Sequence, residues 1–130
     1  QQTEGEKAGA DVLEERLAVM AEDNSSSRIV EKLMRDIRED CARHYTLSQL
    51  AEECHVTESY FSSLFKKETG MSFIEYLTDT RMKEAMRLLK ETNEKIYVVA
   101  QKVGYLESGY FSHVFKKKYG MTPVQFRNSK

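Results

Sequence analysis

Two stretches of this chain carry the same polar chemistry on the same apolar frame: "SYFSSLFKKETGMSF" at 59–73 and "GYFSHVFKKKYGMTP" at 109–123. In the first, Ser59, Tyr60, Ser62 and Ser63 precede Lys66 and Lys67; in the second, Gly109, Tyr110, Ser112 and His113, with Ser108 just before them, precede Lys116, Lys117 and Lys118. At helical spacing, each stretch puts hydroxyls and small residues at the front of one face and lysines at its back. A helix entering the major groove of duplex DNA needs this order, because its early residues face base edges while flanking cations meet phosphates. The competing reading is a solvated face whose lysines favour the negative end of the helix dipole. Repetition of the same face within one chain favours nucleic acid. Phe61, Phe65, Phe111 and Phe115 recur four apart on the opposite side. They read as core, not as stacking platforms for single strands.

The elements that would position these faces are all helical. "RIVEKLMRDIREDC" sets Ile29, Val30, Leu33, Met34, Ile37 and Cys41 on one side. "TLSQLAEEC" follows, with Thr46 and Gln49 as a capping box and Leu47, Leu50, Ala51 and Cys54 inward. A short turn at His55–Val56 leads to Thr57, a cap for the helix carrying the first polar face, with Phe61, Leu64 and Phe65 inward; Gly70 ends it. Ser72 caps a long helix with Ile74, Leu77, Ala85, Leu88 and Leu89 on its buried side. "IYVVAQKV" then repeats the earlier pattern as Ile96, Val99, Ala100 and Val103, and Gly104 supplies a sharp turn. Gly120 ends the second polar helix, and Thr122 with Pro123 opens a last one. The repeat offset is 49 at Ala51 and Ala100 but 50 at Tyr60 and Tyr110, so one residue is added in or near the second turn. Short helix, tight turn, longer helix with a basic end is the helix-turn-helix pattern. Ala51 and Ala100 are small where the paired helices would cross.

Composition bounds what else the chain could do. Of 130 residues, 32% are charged and one is proline, which suits a helical domain of modest core. Cys41, Cys54 and three scattered histidines have no metal-ligand spacing, so neither a metal nor a cofactor is expected, and the thiols fit a reducing compartment. No apolar run reaches the length of a membrane span. Nor do paired carboxylates, a phosphate-cradling glycine loop or a nucleophile elbow support an enzyme. The net charge of −1 conceals an acidic head and a basic tail: residues 1–27 hold two basic and seven acidic residues, and 96–130 hold six basic residues against Glu107 alone. Residues 1–27 read as a connector, with a helical stripe at Val12, Leu13, Leu17 and Met20, and 28–130 as the main domain. No sustained heptad seam is present, so the fragment is expected to be monomeric.

The residues 104–127, "GYLESGYFSHVFKKKYGMTPVQFR", resemble the signature of the AraC/XylS family of bacterial transcription regulators. "YFSSLFKKETGMSFIEYL" with "RMKEAMRLL" resembles the family's first half and linking helix, so the resemblance spans about 29–127. It implies an all-α fold of about seven helices: two helix-turn-helix lobes joined by a long helix at roughly 73–91, docking in successive major grooves. Its function would be sequence-specific binding of double-stranded DNA for transcription regulation. The alternative is a helical protein-interaction module that turns its basic faces to an acidic partner. The resemblance makes Ser59, Ser62, Ser63, Ser108, Gly109, Ser112 and His113 base-facing. It gives Lys66, Lys67, Lys116 and Lys117 to phosphates, and Arg81 either to a phosphate or to bracing the fold; Tyr60 and Tyr110 suit either a phosphate-contacting hydroxyl or a partly buried ring. Relatives often carry Arg or Lys where Ser63 and His113 stand, and a polar residue where Leu106 stands. Bidentate arginine readout of guanine is therefore not offered from these places. The wording of 70–105 leans towards the receiver-bearing response regulators. The resemblance further implies a cytoplasmic protein, a missing regulatory region, RNA polymerase as a second partner and a dimeric full-length form.

Overall fold

The structure, a computed structural model, describes residues 27–130. Among these residues there are seven helical segments and no strand: α1 (27–39), α2 (Leu47–Glu53), α3 (Glu58–Thr69), α4 (Phe73–Glu91), α5 (Ile96–Lys102), α6 (Ser108–Tyr119) and α7 (Pro123–Asn128). The expected connector at 1–27, with its stripe at Val12–Met20, lies outside the described residues but for Ser27. Two units divide between Met34 and Arg35. In the described part of the first, Val30 and Leu33 are buried. The second, Arg35–Lys130, holds both polar helices.

Capping residues fix where its helices start. The Thr57 hydroxyl accepts from the Tyr60 amide at 3.1 Å. Ser72 and Glu75 exchange both bonds of a capping box, and so do Thr122 and Gln125, with Pro123 at the first helical position. At α2 only half of the expected box forms: Thr46 accepts from the Gln49 amide, and no return bond comes from the Gln49 side chain. Gly70 and Gly120 close α3 and α6 at φ of 79° and 80°, where a side chain would be strained.

The two lobes are built alike. Phe61, Phe65 and Phe73 pack in one core with ring centroids 5.8–6.4 Å apart. Phe111, Phe115 and Phe126 do so in the other, at 5.6–6.0 Å. From 61 to 75 and from 111 to 125, the sequence of buried, half-buried and exposed positions is the same residue for residue. Ala51 and Ala100 are 2% and 1% exposed, as the crossings require. The expectation for Ile74 fails: it is 61% exposed, and Phe73 and Met82 are the buried residues missing from the expected stripe. Phe73, in the first turn of α4, fills the space beside Phe61 and Phe65 and leaves Ile74 turned out.

Two arginines tie closing helices back to opening ones. Arg81 of α4 donates from Nε to the Cys41 carbonyl at 2.7 Å and from Nη2 to the Arg43 carbonyl at 3.0 Å, just beyond α1. Arg127 of α7 donates from Nε to the Leu89 carbonyl at 3.0 Å, near the end of α4. Both satisfy carbonyls at or beyond a helix end, where the helix itself supplies no donor.

Candidate nucleic-acid interface

The front of each polar helix is open to solvent. Ser59, Tyr60 and Ser63 of α3 are exposed, and so are Gly109, Tyr110 and His113 of α6; Ser62, Ser108 and Ser112 are half-buried. Lys66 and Lys67 stand in the last turn of α3, and Lys116 to Lys118 in that of α6. Lys66, Lys67, Lys116 and Lys117 make no ion pair among the described residues, so their charge is available to a ligand. Lys118 differs. Its ammonium lies 3.1 Å from the Asp79 carboxylate of α4, which Lys83 also meets at 3.0 Å. Partial burial opposes ionisation of Asp79, but the bonds from Lys83 and Lys118 outweigh it and lower its pKa. This bridge fixes the back of α6 on the linking helix.

The tyrosines, whose places in the sequence suit a phosphate-facing hydroxyl or a partly buried ring, are 46% (Tyr60) and 59% (Tyr110) exposed. The Tyr110 ring leans on Tyr105 at 5.8 Å, which holds it at the front of α6.

The start of α4 brings the two faces together. A cleft of about 610 Å³ is lined by Ile74, Thr78, Tyr110, His113 and Lys117, among others. A smaller one of about 270 Å³ includes Ser62, Ser63, Lys66 and the same Ile74. Candidate residues from both polar helices therefore flank one exposed side chain. Val124, one repeat later in α7, is exposed in the same way, at 52%.

The second turn is where the copies part. Val56 and Tyr105 donate from their amides to Ala51 and Ala100, at the offset of 49, while Phe61 and Phe111 donate to Thr57 and Glu107, at the offset of 50. The added residue is therefore Leu106. In lobe one the turn residue His55 takes φ 59°; in lobe two Gly104 takes φ 105°. A side chain at Gly104 would lie 2.9 Å from the Arg81 guanidinium. That guanidinium also sits 5.5 Å from the centre of the Tyr105 ring. Arg81 thus ties α4 to the segment after α1 and lies against the second turn.

The family model described as "Helix-turn-helix domain" matches residues 50–129. The C-terminal domain of AraT, a response regulator from Geobacillus stearothermophilus, superposes with a TM-score of 0.74 at 38% identity, covering 78% of this chain and 85% of that one. This chain belongs to the AraC/XylS family of transcription regulators. As an AraC-type domain it is also similar to the C-terminal domain of the two-component response regulator yesN from Fusobacterium nucleatum, with a TM-score of 0.69 and 38% identity over 75% of this chain and 97% of that one. Among curated proteins, the uncharacterized HTH-type transcriptional regulator YobQ of Bacillus subtilis is 42% identical over 65% of this chain. The chain spans 35% of that relative's length, about a third. The helix-turn-helix pairs expected from the repeat are thus those of an AraC-type DNA-binding domain. Among the described residues no helix is long and apolar enough to cross a membrane.

Proposed function

We propose that this AraC-type domain reads double-stranded DNA with α3 and α6 together, one helix to each of two successive major grooves, within a cytoplasmic regulator. One observation carries the reading: exposed front residues of both helices flank Ile74, so their candidate contacts share a surface. On this reading Ser59, Ser62, Ser63, Ser108, Gly109, Ser112 and His113 face base edges. Lys66, Lys67, Lys116 and Lys117, with the Tyr60 and Tyr110 hydroxyls, meet phosphates. Arg81 acts from behind, because two carbonyls already hold its guanidinium. With no arginine at the readout places, base recognition leans on hydroxyls, bridging water and DNA shape.

The test is a salt titration of duplex binding for the parent and for a variant with Lys66, Lys67, Lys116 and Lys117 all replaced by alanine. The variant should bind every sequence more weakly, with a salt slope flatter by about 0.9 for each phosphate it no longer neutralises. These lysines are exposed, so the fold should be unaffected. Equal affinity and slope in parent and variant would refute the assignment. Residues 1–27 would connect this domain to a regulatory region, and dimerisation and contact with RNA polymerase would belong to the longer protein.

A further inference from the structure

Leu106 is the residue that makes the second turn longer than the first, and it is 95% exposed. Its neighbours explain why. Tyr105 is 9% exposed, packs its ring 5.7 Å from Phe111 and lies under Arg81, so the turn is anchored one residue earlier. Glu107 is the N-cap of α6, so the helix begins one residue later. Between these fixed points Leu106 has no packing role. It stands two residues before Ser108, at the end of α6 where a recognition helix meets base edges. An isolated exposed leucine needs no explanation; one inserted at the mouth of a helix lacking arginine at its readout places does.

We propose that Leu106 reads DNA by apolar contact with the C5-methyl group of a thymine in the major groove met by α6. The proposal rests on the DNA-binding reading above. Each thymine presents one methyl group in that groove, and apolar side chains recognise it where hydrogen-bonding ones gain nothing. The added residue thus gives lobe two an apolar contact at a place for which lobe one has no residue.

The chain would be used to select its preferred duplex from a random-sequence pool, and salt-dependent binding to that duplex checked first. Each thymine is then replaced singly by deoxyuridine, which removes the methyl and leaves pairing intact. At one thymine the parent should lose about fourfold in affinity, the value of one buried methyl. Leu106→Ser should bind the thymine and deoxyuridine duplexes alike, and the deoxyuridine duplex as well as the parent does. Its thermal melting should match the parent's, since the side chain packs on nothing. The proposal is overturned if no thymine shows the effect, or if Leu106→Ser keeps the same preference for thymine. In both cases the salt-dependent binding still stands, and a protein partner for Leu106 becomes the next question. Loss of salt-dependent binding in the parent itself would instead bring down the DNA reading and this proposal with it.

Discussion

Gly104→Ala should be the most damaging small substitution in the second turn, and the structure says by how much. Two costs add. The first is backbone: φ is 105°, well outside the narrow left-handed well that residues with a Cβ reach, and strain of this kind costs about 1–2 kcal/mol. The second is steric: the new Cβ would lie 2.9 Å from both Nε and Cζ of Arg81. A guanidinium usually swings away cheaply, but this one is held by the Cys41 and Arg43 carbonyls and by the Tyr105 ring. Moving it forfeits at least one charge-assisted hydrogen bond, about 1.5 kcal/mol. The sum is about 3 kcal/mol. Gly120→Ala is the control, because its φ is 80° with nothing within 4 Å of the added Cβ, so it should cost only about 1 kcal/mol. Urea unfolding of both variants measures the difference. Repeating Gly104→Ala in an Arg81→Ala background isolates the steric part: the cost should fall by about 1.5 kcal/mol, which is the coupling energy of the pair. Equal costs for the two glycines, or strict additivity with Arg81→Ala, would refute the bracing role of Arg81.

Packing and charge give two more. Ala100, 1% exposed at the α5–α6 crossing, should tolerate no larger residue: Ala100→Leu should cost about 1–3 kcal/mol by overpacking, read as a lowered urea midpoint. Asp79 has its pKa lowered in the folded state, so it contributes stability above the ordinary carboxylate range and loses it as pH falls through the folded value. Asp79→Asn should cost about 0.5–1 kcal/mol at neutral pH, since the pair is partly solvent-screened, and should match the parent at the acid end of a stability-against-pH series.

The duplicated stretches made most of the fold legible. Phenylalanines four apart, hydroxyls one residue before α2, α3, α4 and α7, and glycines after α3 and α6 are local signals, and each kept its meaning in the structure. Ile74 misled because its helical phase fits the buried side of α4; the competing Phe73 wins the space by size and by its ring contacts with Phe61 and Phe65. The half-made box at Thr46 shows the same limit, since a motif supplies the partners and not their rotamers. The left-handed turn at His55 was hidden because histidine reaches φ 59° without glycine. For the site, the exposed faces were readable, but the hydrogen-bond partners of Arg81 were not. Its carbonyl partners lie 40 and 38 residues away in sequence, and only the folded chain brings them together.

The two turns are held in different ways, and the difference bears on what lobe two can carry. From 61 to 75 and 111 to 125 the lobes keep the same burial at every position, so the scaffold is the same in both. The change lies in the few residues before the recognition helix. Lobe one begins α3 with a side-chain cap from Thr57 and needs no glycine; lobe two begins α6 at Glu107, whose side chain makes no cap bond, and needs Gly104. A missing cap costs about 1 kcal/mol. In lobe two Arg81 grips the turn from below and Tyr105 anchors it in the core, which offsets that cost. The turn can then hold an unpacked residue such as Leu106 at the mouth of the helix without loosening what lies behind it.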